Sequence, residues 1–199
     1  MKKLIIIGAS GHGKVISDIA RLNGYEEIEF FDDDINLHDC NGWSVKGTVN
    51  QASETQGDLF VAIGNAELRE RIMNRFAGRH FPVLIHPSAV VAHGVNIGEG
   101  SAVMAGAVIN SGARVGKGCI INTSSSVDHD CVVGDYTHIS VGAHLGGTVT
   151  VGSRTWIAIG VSVINNIDIC DGCMVGAGSV VVKSIEKPGT YVGVPAKLI

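Results

Sequence analysis

A histidine followed directly by a carboxylate, His129-Asp130, is the pair in this 199-residue sequence best suited to moving a proton. Imidazole titrates near neutrality, so it can take a proton from an attacking amine or hydroxyl. A carboxylate beside it can fix the tautomer and raise its basicity. His138 and His144 follow shortly after. Near the start, Gly8-Ala9-Ser10-Gly11-His12-Gly13 is a glycine-rich loop whose backbone amides suit a phosphate, and Asp32-Asp33-Asp34 closes a second apolar run. The five cysteines are odd in number and suit a reducing cytoplasm. Cys170 and Cys173 form a lone C-x-x-C without a second pair, and Cys173 reads as core filler.

The element that must position His129 is a repeat. Counting in sixes from Ile85 to Val181, all seventeen positions are Ile, Leu or Val, without one insertion. The fifth position of each six holds nothing charged, aromatic or long, from Ala89 through Cys131 to Ile185. The second position often carries Gly or Asn, as at Gly98, Asn110, Gly116, Asn122, Gly134, Gly146, Gly152 and Gly176. These are expected to supply the positive φ of tight corners. Each six is then one short strand and one corner, and three sixes make a triangular coil stacked on the next at about 4.8 Å. His129 and Asp130 fall on a corner; His138 and His144 point outward. The stretch from Val182 to Ile199 breaks the period and caps the last coil, with Pro188-Gly189 as a turn and Tyr191 to Val194 as a returning strand.

Residues 1–84 read differently. Lys3 to Ile7 is a strand that enters the glycine loop, not a signal peptide. A helix follows, with Val15, Ile16, Ile19, Ala20 and Leu22 on one face and Asn23-Gly24 closing it. Ile28 to Phe31 is a second strand and Leu59 to Gly64 a third, leading into a helix capped by Asn65 with Leu68, Ile72 and Phe76 inward. The result is a small Rossmann-like β-α-β domain, with the loop and Asp32-Asp33 at the carboxyl ends of its strands, where ligands bind. The loop spacing is G-x-x-G-x-G, not the dinucleotide G-x-G-x-x-G, so a nucleotide-sugar fits better than NAD.

Composition narrows the partners. Glycine, at 27 residues, is about twice its usual share, and charged residues reach only 17%. A net charge of −4 argues against nucleic acid. No apolar run approaches the roughly 18–20 residues of a membrane span.

The repeat resembles the hexapeptide-repeat superfamily, which implies a left-handed parallel β-helix over residues 85–199, a homotrimer and an acyltransferase. Four stretches sharpen the resemblance: Gly8 to Gly13, Ala62-Ile63-Gly64-Asn65, Asn122-Thr123-Ser124-Ser125 with Asp128-His129-Asp130-Cys131, and Val192-Gly193-Val194-Pro195-Ala196-Lys197. Together they resemble the sialic acid O-acetyltransferases and the UDP-4-amino-sugar (bacillosamine-type) N-acetyltransferases. The resemblance implies acetyl-CoA as co-substrate, no metal, and His129 as general base supported by Asp130. Direct contact between the two is open, because relatives carry the longer Glu after the histidine. It implies His138, Gly147, Ile159 and Ala177 along an acetyl-CoA groove at the subunit interface. It also implies Ser10, Gly11, His12, Asp32, Asp33 and Gly64 at a sugar-nucleotide site, with Asn122 near the acceptor. The expected reaction is N-acetylation of a UDP-linked 4-amino-dideoxy sugar in the cytoplasm.

Alternatives are O-acetylation of sialic acid or a polysaccharide sugar, a non-catalytic sugar-nucleotide-binding trimer, and a transferase acting on an amino acid or small diacid. A zinc enzyme like the γ-carbonic anhydrases shares the solenoid, and His93 and His129 match part of its ligand spacing. Gly134 stands where the third histidine is needed, and catalytic zinc usually takes three protein ligands.

Overall fold

The computed structural model describes residues 2–199 and divides into two compact units, residues 1–85 and 86–199. In the first unit the strands are β1 (Lys3–Ile7), β2 (Glu27–Phe31), β3 (Asp39–Cys40), β4 (Trp43–Gly47) and β5 (Asp58–Val61), in the spatial order 3-4-2-1-5. β1 pairs in parallel with β2 and with β5. It lies between them, and Leu4 to Ile7 are wholly buried, as an unalternated apolar run in a parallel sheet must be. Helix α1 (Gly11–Leu22) follows β1, and helix α2 (Ala66–Arg75) follows β5, its first turn closed by the Asn65 side chain accepting from the Leu68 amide at 2.8 Å.

Three details depart from the sequence reading. The glycine loop ends at Ser10, because Gly11 already begins α1. The buried face of α1 is Gly13, Ile16, Ser17, Ile19 and Ala20, whereas Val15 and Leu22 are exposed. Gly13 belongs to that face because a Cβ there would collide with the Gly8 carbonyl oxygen. The antiparallel pair β3–β4 is an added hairpin. Its signal is Asn41-Gly42, both at positive φ (56° and 79°), the two-residue turn that matches strand twist.

The second unit is a parallel β-solenoid whose strands are two residues long. One face stacks Ala102–Val103, Ile120–Ile121, His138–Ile139, Trp156–Ile157 and Met174–Val175. The second stacks Val90–Val91 through Ser126–Val127 and His144–Leu145 to Val180–Val181. The third stacks Asn96–Ile97 to Asp168–Ile169. The inward aliphatics from Val103 on are buried, and so are the small fifth-position residues beside them, such as Ser101, Cys119, Cys131 and Thr137. Three of these also carry hydrogen bonds between coils: Ser101 Oγ, Cys131 Sγ and Thr137 Oγ1 each donate to a carbonyl fifteen residues on. The end is closed by Thr190–Val192, parallel to Met174–Val175, and by Lys197–Leu198 turning back antiparallel.

The corner chemistry differs from expectation. Positive φ falls on the fourth position of every six from Gly94 to Gly178, including Ser124, Asp130, Tyr136, Thr148, Arg154 and Asn166. The second-position glycines instead permit close approach of the next coil. A Cβ at Gly134 would lie 2.6 Å from the Ser153 nitrogen and 2.8 Å from the Gly152 carbonyl carbon. Gly98, Gly116, Gly146 and Gly152 meet backbone or the tip of an Asn or Asp in the same way. The two roles separate experimentally on one corner. Gly134→Ala is expected to destabilise by about 1–3 kcal/mol through overpacking against backbone. Gly172→Asn, at φ 67° with open space around its Cβ, should cost less than about 1 kcal/mol. Denaturant unfolding of both variants checks the contrast.

Candidate active site

His129 and Asp130 occupy the third and fourth positions of the corner between the second and third faces. The left-handed backbone of Asp130 (φ 59°) turns its carboxylate back toward the preceding residue. Oδ2 then lies 2.9 Å from His129 Nδ1, so the direct contact left open by the sequence is made despite the shorter side chain. Room for this carboxylate comes from Gly112, one coil earlier, where a Cβ would collide with Asp130 Oδ1. The hydrogen bond that His129 donates to Asp130, and then the charge of Asp128, hold the imidazole above its ordinary pKa of 6.5. With the proton on Nδ1 facing the carboxylate, the lone pair sits on Nε2, and the ring remains half exposed.

One coil further on, Gly147 lies directly beside the other edge of that ring. A Cβ on Gly147 would collide with Nε2 and come within 2.6 Å of Cε1. Gly147 therefore joins the His129 corner, where its bare backbone leaves the imidazole its rotamer.

The remaining residues predicted for the groove are elsewhere on the solenoid. His138 stands on the first face, its ring stacked on Trp156 at 5.7 Å between centroids and 8° between planes, with Nε2 3.0 Å from the Asn122 amide nitrogen. Asn122 fixes its own corner by accepting from the Thr123 amide at 2.8 Å. Ile159 and Ala177 continue that corner, between the first and second faces, and Ile159 is 60% exposed. Within one chain, Asn122, His138, Ile159 and Ala177 form one group, and His129, Asp130 and Gly147 another. Trp156, half exposed and donating to Ser140 Oγ, belongs to the first group and carried no motif in the sequence. His144 is also outward, with Nδ1 2.8 Å from Ser126 Oγ.

In the first unit the loop after β1 is braced from within. Asp32 accepts the Ala9 amide on Oδ2 (2.7 Å) and the Asp34 amide on Oδ1 (2.9 Å), and Asp33 accepts the Val49 amide (3.0 Å). These carboxylates thus shape the loop as well as border it. Gly8 is obligatory there, at φ 105° with the Ala62 carbonyl oxygen 2.8 Å from where a Cβ would be. Ser10 is the N-cap of α1 with no side-chain capping bond, and Gly11 and Gly64 face open space. His12 is part-exposed as a residue, yet its Nε2 is shut from solvent and has no hydrogen-bond partner. Burial, and then the Arg69 guanidinium, push its imidazole down to about 4. Arg69 itself is 1% exposed and donates Nη1 to the carbonyls of Ile63 (2.6 Å) and Gly64 (2.9 Å). The sequence reading missed Arg69, although its spacing to Ile72, Met73 and Phe76 places it on the inward face of α2. Among the described residues no group of three His, Cys, Asp or Glu side chains is placed to hold a metal, and no helix is long and apolar enough to cross a membrane. Cys170 and Cys173 lie 3.4 Å apart at sulfur, and Cys173 is buried.

Two outcomes are expected. Gly147→Ala should displace the His129 ring from Asp130, so its NMR titration moves down toward the ordinary histidine value while the fold persists. For His12, the unfolded chain binds a proton near 6.5 and the folded chain only near 4. Its contribution is therefore complete above about pH 6.5 and lost as pH falls toward 4. His12→Gln should remove about 2 kcal/mol of that pH dependence, read from unfolding free energies at pH 7 and pH 4.5.

Residues 3–76 match the PglD N-terminal domain family. The UDP-N-acetylbacillosamine N-acetyltransferase of Bacillus subtilis (strain 168) is 36% identical over 113 residues, which cover 53% of this chain and 52% of that enzyme. The match thus spans about half the length of that curated relative. Among solved structures, the acetyltransferase domain of PglB from Neisseria gonorrhoeae FA1090, in complex with acetyl coenzyme A, superposes with a TM-score of 0.95 at 41% identity, covering 100% of this chain and 99% of that one. PerB from Caulobacter crescentus, in complex with CoA and GDP-perosamine, superposes at 0.93 with 37% identity, covering 100% and 98%. Alike over its whole length to these structures, and carrying both the loop domain and the solenoid, the chain belongs to the sugar-nucleotide acetyltransferases with a PglD-type N-terminal domain.

Proposed function

We propose that the protein transfers an acetyl group from acetyl-CoA to the amine of a nucleoside-diphosphate-linked 4-amino sugar, with UDP as the expected nucleotide and His129 as the general base. The observation that carries this reading is the His129 ring, anchored through Nδ1 on Asp130 and half exposed on its corner. As the amine nitrogen attacks the thioester carbonyl, a C–N bond forms and the C–S bond breaks. Nε2 takes the proton that the nitrogen must lose and passes it to the departing thiolate. Asp130 stabilises the imidazolium that exists in between. The relatives that bind acetyl coenzyme A, CoA and GDP-perosamine support the choice of donor and acceptor class. Ser10, Gly11, His12, Asp32, Asp33 and Gly64 are assigned to the sugar-nucleotide, whose diphosphate suits the unpaired amides at the start of α1. The neutral His12 can accept or donate one hydrogen bond there without adding charge.

The chain is further assigned to a cytoplasmic homotrimer. Asn122, Ile159 and Ala177 stand on a different corner from His129, with His138 on the first face next to Asn122, so a groove that uses both groups needs a contribution from each of two neighbouring chains. Exposed Trp156 on the first face, with Val141 and Ile159 on the corner between the first and second faces, gives an apolar surface for such a contact.

The test is thiol release from acetyl-CoA with UDP- and GDP-linked 4-amino sugars, sialic acid and serine as acceptors. Release is expected with the amino sugars alone, and His129→Ala should lower kcat/KM by on the order of 10²–10⁴-fold. Because the base must be neutral, kcat/KM should rise with pH through a His129 titration above 6.5, and Asp130→Ala should move that limb to lower pH. Release only with sialic acid would shift the assignment to O-acetylation; none with any acceptor would overturn the reading.

A further inference from the structure

His129 is flanked by carboxylates on both sides, and the second one is held as firmly as the first. Asp128 Oδ1 accepts the backbone amide of His129 at 2.8 Å and the side-chain amide of Asn110 at 2.7 Å. Asn110 lies one coil earlier, eighteen residues back, at the second position of its own six. The same carboxylate oxygen therefore ties two coils together at the point where the His129 backbone enters the left-handed turn of Asp130. It is the N-terminal clamp of the catalytic corner, as the Thr148 amide donating to the His129 carbonyl at 2.9 Å is its C-terminal clamp.

We infer that Asp128, locked by Asn110, is a positioning residue for His129: it fixes the backbone from which the imidazole projects and supplies a second negative charge to the imidazolium. This deepens the reading of His129 as the base and rests on it. The charged groups that face the ring are few. On its own corner they are Asp128 and Asp130; the coil before presents Ser111 and Gly112, and the coil after presents Gly147 and Thr148, none of which is charged. Asp128 itself is kept below the ordinary carboxylate range, first by the Asn110 amide and then by the His129 amide, so it stays ionised whenever the histidine titrates.

The two carboxylates have different tasks. Asp130 contacts the ring and selects its tautomer; Asp128 never touches the ring and acts through the backbone and through its field. Asp128→Asn keeps an oxygen for the His129 amide and removes the charge. Asp128→Ala removes both, and Asn110→Ala leaves the carboxylate in place but unlocked.

The experiment is an NMR titration of His129 in the full chain, its signal assigned by its loss in His129→Ala, run beside the pH profile of kcat/KM for each variant. The titration of His129 is expected to move to lower pH in Asp128→Asn, and by less in Asn110→Ala, with the acid limb of kcat/KM moving in parallel. Asp128→Ala should in addition lower the plateau of kcat by on the order of tenfold or more, with KM for acetyl-CoA little changed. A His129 titration that stays in place in Asp128→Asn would overturn the inference and leave Asp128 as a turn residue. A titration that moves while the acid limb stays would keep Asp128 as the partner of His129 and overturn instead the assignment of His129 as the base.

Discussion

The close approach of consecutive coils is the constraint on which the solenoid depends. Each strand contributes only two residues, too few to pair stably alone, so the strand backbone must find its partners on the adjacent coils. That happens only if nothing protrudes between the coils at the corners. Glycines at second positions keep that space empty, and fifth-position Ser, Thr and Cys fill what remains while satisfying corner carbonyls. The left-handed fourth position then turns the chain into the next face.

The candidate catalytic corner is this same scaffold with its tolerances used for chemistry. The fourth position must be left-handed wherever it falls, and at Asp130 that conformation aims a carboxylate back at the preceding imidazole. The residues one coil before and after, Gly112 and Gly147, are bare where the carboxylate and the ring need room. The site therefore needs no added loop. Its precision comes from a stack of parallel coils whose spacing is fixed by backbone hydrogen bonds, a rigid support for the imidazole.

The first unit uses a different economy. Its loop after β1 is held by carboxylates that accept backbone amides, and beneath it Arg69 is almost wholly buried with its guanidinium given to two carbonyls. Burial, and after it that buried cation, keeps His12 neutral. A neutral imidazole at the N-terminus of α1 adds no charge of its own there, and its protonation state does not change near neutrality.

The sequence by itself determined the solenoid, because a six-residue period in aliphatic side chains has no other way to bury them, and it determined the β1–loop–α1 unit, because the apolar run, the glycines and the Asn-Gly stop are all local signals. It also singled out His129 and Asp130, whose adjacency is visible without coordinates. What only the tertiary structure decided was which glycines bend the chain and which admit a neighbour: both look alike in sequence, and the difference lies in what stands eighteen residues further on. The contact of Asp130 with His129 was likewise undecidable from side-chain length, since it turns on a backbone φ of 59°. The charge of Arg69 acting on His12, Gly147 beside the imidazole, and the separation of His138 on a face from His129 on a corner belong to the same class. Each is a relation between residues distant in the chain, and such relations are set by how coils and layers stack, not by local pattern.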